Sequence, residues 1–174
     1  YLGNYSPKLL GGFNFRLSYK NWQLSANFQG RVGQKVFNQT RLNSEQMRGN
    51  SNQSTATLRR WRNEGDITDM PRALYGRGYN SLGSDRYIED ASFLRMKTIT
   101  LKYSFPRNLT RKMHLSAFDL YVTAYDLLTF TKYSGQDPEV GDKKIDDTGI
   151  IRLAVDGAST PKPIRVKFGI NLRF

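Results

Sequence analysis

The chain has 174 residues and no cysteine, with 27 Lys and Arg against 15 Asp and Glu, a formal net charge of +12. Disulfide scaffolds and thiolate metal sites are therefore excluded, and no apolar run reaches the roughly eighteen residues that a transmembrane helix needs. The length suits one domain, and no basic-then-apolar leader opens the sequence. The positive charge is scattered; its densest group, Arg59-Arg60-Trp61-Arg62, is short. A nucleic-acid partner is not expected without a basic stripe. Solvated loops and contact with anionic headgroups both remain open as readings of the charge. The low mean hydropathy of −0.61 does not exclude a membrane barrel, whose strands are half polar.

Five segments alternate with period two, the signature of strands that show one row of side chains to each face. The first covers about 9–19, where Leu9, Phe13, Phe15, Leu17 and Tyr19 alternate with Asn14, Arg16 and Ser18. Gly11 and Gly12 mark either a bulge or a close backbone approach. Lys20-Asn21 suits a short hairpin turn. The second strand, about 22–33, sets Trp22, Leu24, Ala26, Phe28 and Val32 against Gln23, Ser25, Asn27, Gln29 and Arg31. A long connection, about 34–92, follows. Within it Thr55 to Asn63 reads as a short helix, capped by Ser54 or Thr55 and stopped by Gly65.

The third strand, about 93–105, carries Ile99, Leu101, Tyr103 and Phe105 in its apolar row. Leu94 and Met96 sit out of step with that row, which predicts a bulge or an emergence from lipid. Pro106 opens a short connection ending near His114. The fourth strand, about 115–130, opposes Phe118, Leu120, Val122, Ala124 and Leu128 to Asp119, Tyr121, Thr123, Tyr125 and Thr129. After a second long connection, about 131–162, the fifth strand runs over 163–174. There Ile164, Val166, Phe168, Ile170, Leu172 and Phe174 alternate with Arg165, Lys167, Asn171 and Arg173.

Connections that run short, long, short, long are the pattern of an outer-membrane barrel with short turns on one side and long outer loops on the other. Such a barrel makes Phe118, Leu120, Val122, Ile164, Val166, Phe168 and Ile170 lipid-facing. It makes Asp119, Tyr121, Thr123, Tyr125, Arg165 and Lys167 lumen-facing, where they touch a solute, pack against other parts or line hydrated space. Tyr19, Trp22, Tyr103 and Phe174 read as an aromatic girdle at one interface. The smallest membrane barrels need about eight strands. The expected fold is therefore all-β, five antiparallel strands of a larger barrel, completed by the same polypeptide or by other chains.

Several stretches in order resemble the SusC-like, TonB-dependent outer-membrane transporters of Bacteroidota. They are Gly3-Asn4-Tyr5-Ser6-Pro7-Lys8 with Gly12-Phe13-Asn14; Arg60-Trp61, Gly65-Asp66 and Met70-Pro71-Arg72; Ser92 to Lys97 with Leu101-Lys102-Tyr103 and Pro106; and Leu127 to Gly135 with Asp137-Pro138-Glu139. The terminal aromatic Phe174, read as an assembly signal, matches as well. Asp126 departs from the family, which usually has Asn there. The resemblance implies the carboxy-terminal part, 1–174, of one 22-strand barrel domain in the cell outer membrane, without the plug domain. It implies uptake of oligomeric nutrients, glycans or peptides, energised through TonB, with a SusD-like lipoprotein as lid.

Arg60, Trp61, Arg62 and Tyr79 are the partner-interface candidates, because Trp, Tyr and Arg are favoured where partners dock; packing within a large loop is the equal alternative. Asp137, Glu139 and Asp142 could give oxygens to calcium, yet their spacing is not that of an EF-hand and such residues are ordinary turn formers. No cofactor is expected. His114 is the sole histidine, so no histidine triad or zinc site can be built, and the chain is not expected to be an enzyme. Two alternatives remain: a secreted soluble β-sandwich that binds carbohydrate, and a structural outer-membrane barrel scaffold without transport.

Overall fold

The computed structural model describes residues 2–140, 144–145, 151–152, 154–158 and 160–174. In chain order the elements are β1 (Leu9–Tyr19), β2 (Trp22–Val32), β3 (Lys35–Asn38), α1 (Gln39–Glu45), β4 (Ile88–Asp90), β5 (Phe93–Ser104), α2 (Arg107–Lys112), β6 (Ala117–Thr131), β7 (Lys144–Ile145), β8 (Ile151–Arg152), β9 (Val155–Asp156) and β10 (Arg165–Arg173). They fall into two compact units. One holds Pro7–Gly33, Ser92–Lys132 and Pro161–Phe174; the other holds Tyr1–Ser6, Gln34–Ala91 and Tyr133–Thr160.

The first unit is a five-stranded antiparallel sheet in the order β1-β2-β5-β6-β10. Paired residues share a face. One row therefore crosses the whole sheet as Leu17, Leu24, Leu101, Val122 and Phe168. The neighbouring row, one residue along, is Arg16, Ser25, Thr100, Thr123 and Lys167. Leu17 is 61% exposed and Phe168 80%, whereas Thr123 is only 7% exposed. That is the reverse of a soluble sheet, which turns its apolar face inward. A β-sandwich would cover these side chains with a second sheet, and they are bare.

The phase break in β5 is a bulge. Thr98 pairs with Asn27 and Met96 with Phe28, so Lys97 is the extra residue. Beyond it Met96 and Leu94 rejoin the apolar row, opposite Leu128 and Phe130. On β6 Asp126 turns to a positive φ of 51° at this level, with its carboxylate 3.7 Å from Lys97 Nζ. The two glycines of β1 form no bulge: Gly11 and Gly12 pair in unbroken register with Gly30 and Gln29. Gly12 marks close approach instead, since a Cβ there would lie 2.7 Å from the Phe28 carbonyl oxygen, while a Cβ on Gly11 would meet open space.

The connection from β5 to β6 is α2. Its last turn closes with the His114 N–H donating to Arg111 O and the Leu115 N–H to Thr110 O, with His114 at φ 56°. This is a Schellman closure with histidine where glycine is preferred. The chain's only histidine thus has a backbone duty. His114→Gly should stabilise the assembled protein by about 1 kcal/mol, because only the Cβ penalty of the left-handed conformation is removed. Thermal unfolding of the two forms checks this, and a lowered midpoint would contradict it.

In the second unit β3 pairs antiparallel with β4 and parallel with β9. Val36, Ala91, Tyr133, Val140 and Ala154 form a buried cluster. Asn38 caps α1 by accepting the Arg41 N–H at 2.8 Å. The helix expected over Thr55 to Asn63 is shorter and tighter: a 3-10 turn, Thr55–Arg59, whose Ser54 hydroxyl accepts the Ala56 N–H. It stops because Arg60 bridges to Met70 and the Trp61 N–H donates to Met70 O. Those backbone groups are committed to pairing and cannot continue a helix.

Candidate functional site

The two faces of β6 and β10 hold the residues expected to meet lipid and lumen. Phe118, Leu120 and Val122 share the bare apolar face with Val166, Phe168 and Ile170. Ile164 precedes β10 and Phe174 follows it; they are 60% and 88% exposed. On the other face Asp119 and Tyr121 line up with Asn171 and Gly169, and Thr123 and Tyr125 with Lys167 and Arg165. This polar face is internally tied. Lys102 Nζ lies 2.9 Å from the Asp119 carboxylate, and the Thr100 and Thr123 hydroxyls are 2.9 Å apart. The Arg165 guanidinium sits 5.4 Å from the Tyr125 ring centre. Tyr121 lies across Gly169, where any Cβ would enter the ring. Glycine at 169 is thus required by the aromatic side chain beside it.

Near the short turns the aromatic side chains form a ladder. Trp22 is 4.7 Å from Tyr103, Tyr103 5.0 Å from Phe105, and Phe105 is stacked on Phe118 at 4.3 Å. Tyr19 pairs with Trp22 at one end of it. Phe105 and Phe118 join the girdle residues that strand phase alone had suggested.

In the loop unit Arg60, Trp61 and Arg62 belong to a tied tongue. The Arg62 and Asn63 N–H groups both donate to the Asp66 carboxylate at 2.9 Å. Those backbone donors, Asn63 first and then Arg62, hold the Asp66 carboxyl below its ordinary range. Arg59 lies 3.1 Å from Asp69 and does the same to that carboxyl. The Thr68 hydroxyl donates to the Arg59 carbonyl, and the Arg86 guanidinium to the Asp69 carbonyl. Arg72 stands 5.7 Å from the Trp61 ring centre. At the tip Ile67 is fully exposed. Tyr79 is 84% exposed and lies outside this set of contacts.

A second constellation was not foreseen from the sequence. Glu89 accepts the Ser134 N–H at 3.0 Å, the Ser134 hydroxyl at 2.8 Å, Asn38 Nδ2 at 3.3 Å and Arg41 at 3.2 Å. Arg41 also binds Glu45 at 2.8 Å, and Glu45 faces Arg86. Beside it the buried Tyr133 hydroxyl donates to Asp156 at 2.6 Å. A Cβ on Gly135 would lie 2.7 Å from that same Asp156 oxygen, so the Tyr133-Ser134-Gly135 turn has no room for a larger residue. The stretch that carried the family resemblance is thus a clasp tying residues 133–135 to β3, β4 and β9. Its only sequence signal is that resemblance.

Burial works to raise the Glu89 carboxyl, but the Ser134 and Arg41 donors outweigh it and hold the carboxyl below its ordinary 4.5. A depressed carboxyl contributes stability above its unfolded value and loses it as pH falls through the folded one. The protection of the Asn38 and Ser134 amides, measured relative to intrinsic exchange at each pH, should therefore fall on acidification below about pH 4.5 in wild type and stay nearly constant in Glu89→Gln. Equal acid sensitivity in both forms would contradict the role given to Glu89.

Asp137 is buried and its carboxylate accepts the Glu139 N–H at 2.9 Å, while Asp142 lies outside the described residues. Among the described residues no group of three or more side chains is arranged to ligate a metal.

No protein-family model matches the chain. A TonB-dependent receptor of Formosa agariphila is 31% identical over 99% of this chain and 17% of its own length. The TonB-dependent receptor SusC of Bacteroides thetaiotaomicron is 27% identical over 95% of this chain and 15% of its own. A solved structure of the RagAB peptide importer in its open-open state is 29% identical and has a TM-score of 0.78, covering 97% of this chain and 17% of that one. The five-stranded sheet is thus of the kind found in TonB-dependent β-barrel receptors. Within that class the chain belongs to the SusC-like family, spanning about 17% of the length of the relatives it matches.

Proposed function

We propose that this chain forms part of the wall of an outer-membrane barrel that imports oligomeric nutrients, glycans or peptides, without breaking bonds in them. The observation that carries the reading is the inverted sheet: its apolar row holds side chains as exposed as Leu17 and Phe168, while Thr123 on the polar row is buried. Only lipid makes such a face favourable without a protein cover. Family membership supports the transport role, and the similarity to an importer named for peptides keeps peptides among the cargoes. Energy comes from TonB through parts of the barrel protein outside this chain. The tied loop unit is the surface on which a SusD-like lipoprotein docks, with Arg60, Trp61 and Arg62 in the tongue that meets it. Deleting the complete receptor gene, and separately the TonB function, tests the reading. Uptake of labelled oligosaccharides or oligopeptides should be lost in both strains. Uptake that persists in both would contradict transport and favour a scaffold.

A further inference from the structure

The short-turn end of the sheet carries positive charge that import does not use. Lys20 sits in the β1–β2 turn, and Arg107, Arg111 and Lys112 belong to α2. All four are exposed, and none lies within ion-pair distance of a carboxylate among the described residues. The acid of this end, Asp119, is already engaged by Lys102. The turns are adjacent: the Ser104 N–H donates to Asn21 O, and Phe105 pairs with Phe118 just before Pro106 and α2. On the same connection Leu109 and Met113 are 49% and 55% exposed. They stand four residues apart and so share one side of the helical turn.

A groove of about 800 Å³ opens on the apolar face from this end. It is lined by Trp22, Leu101, Tyr103, Leu120, Phe168 and Ile170. Among the lining residues Trp22 and Tyr103 lie 4.7 Å apart, and Trp22 directly follows the Lys20-Asn21 turn. The basic residues thus lie at the end of the sheet where Trp22 and Tyr103 line the apolar groove.

We infer that this corner of the sheet is a binding site for an anionic phospholipid, with the phosphate of the headgroup on Lys20, Arg107, Arg111 and Lys112 and an acyl chain in the groove. The inference rests on the membrane reading of the apolar face. The chemistry is complementary at both ends. Phosphate oxygens accept from Arg and Lys, and each basic side chain near the surface favours an anionic headgroup. The groove takes hydrocarbon and offers almost nothing to a polar ligand. Leu109 and Met113 extend the apolar contact under the charges. A zwitterionic lipid fits the groove equally well and gains less at the rim, so the site selects by headgroup charge.

The test uses the complete receptor polypeptide, reconstituted into nanodiscs of phosphatidylcholine with an equal share of phosphatidylglycerol. Lipids that stay bound after extraction are counted by native mass spectrometry. Wild type should retain phosphatidylglycerol preferentially. The triple variant Arg107→Gln, Arg111→Gln, Lys112→Gln should lose that preference by on the order of a hundredfold, taking roughly fivefold per neutralised residue. Leu120→Trp, which fills the groove, should reduce retention of both lipids. Wild type that integrates and retains the two lipids alike overturns the site and leaves the membrane reading intact. Protein that does not integrate into the bilayer, and washes off with carbonate, overturns the membrane reading and the site with it. Displacement of phosphatidylglycerol by inorganic phosphate alone would show an anion site rather than a lipid site, and would also overturn the proposal.

Discussion

Phe168→Arg should block assembly of the barrel in the membrane, whereas Lys167→Glu should leave it nearly unchanged. Phe168 stands on the apolar row beside Val122, and Lys167 on the opposite row beside Thr123. Charge on the lipid face near the midplane costs about 2–4 kcal/mol, while a position facing the lumen keeps its hydration. Val122→Lys on the neighbouring strand should block assembly in the same way. The two lipid-side variants together should cost about twice one of them, because their contributions are of the same kind, although their direct pairing permits some coupling. Assembly is read as the fraction of heat-modifiable folded protein in purified outer membranes. Equal damage from both rows would mean that the sheet has no lipid side.

The second large effect is expected in the loop unit. Asp156→Ala removes the acceptor of the buried Tyr133 hydroxyl and the partner of the Ala158 N–H. A buried donor left without a partner costs about 1–3 kcal/mol beyond the lost bond. Burial and the Asp156 carboxylate both push the Tyr133 phenol up, so it remains a protonated donor throughout the physiological range. Tyr133→Phe with Asp156→Ala should therefore recover part of the loss, since the buried hydroxyl is gone and only the Ala158 N–H still lacks its acceptor. Protease cleavage within residues 34–91 should quicken in Asp156→Ala and slow again in the double variant, while the sheet stays folded. Because the folded phenol is raised, its contribution is present below the unfolded value near 10 and is lost only as pH rises through the folded one. Cleavage unchanged in Asp156→Ala would show that the clasp does not hold the loops.

What the sequence disclosed follows from the range of the interactions. The five strands of the sheet are long, and each shows an apolar row to one face and a more polar row to the other. Their period-two rows could be read residue by residue, as with Val166, Phe168 and Ile170 against Arg165 and Lys167. The bulge at Lys97 was legible for the same reason: an extra residue breaks the phase of Met96 and Leu94. The loop unit offers no such period. β3 is four residues long, and its partners β4 and β9 lie far away in the chain. α1 has seven residues and owes its start to the Asn38 cap rather than to an apolar stripe. Glu89 reads in the sequence as one more surface acid. Only the fold sets the Ser134, Asn38 and Arg41 donors around it. Thr55 to Asn63 looked helical because its composition permits a helix, and the Arg60–Met70 pairing overrode that local preference.

Cysteine accessibility in intact outer membranes tests the central claim most directly, and the absence of native cysteine from this chain gives it a clean background here. Single cysteines would replace Leu120, Tyr121 and Val122 on β6, and Lys167, Phe168 and Ile170 on β10. Each would be offered a water-soluble, membrane-impermeant maleimide and then a lipophilic one. The account predicts alternation. Positions 121 and 167 should react with the aqueous reagent, and 120, 122, 168 and 170 only with the lipophilic one. Aqueous labelling of both rows, or of neither, would contradict a sheet with lipid on one face and water on the other.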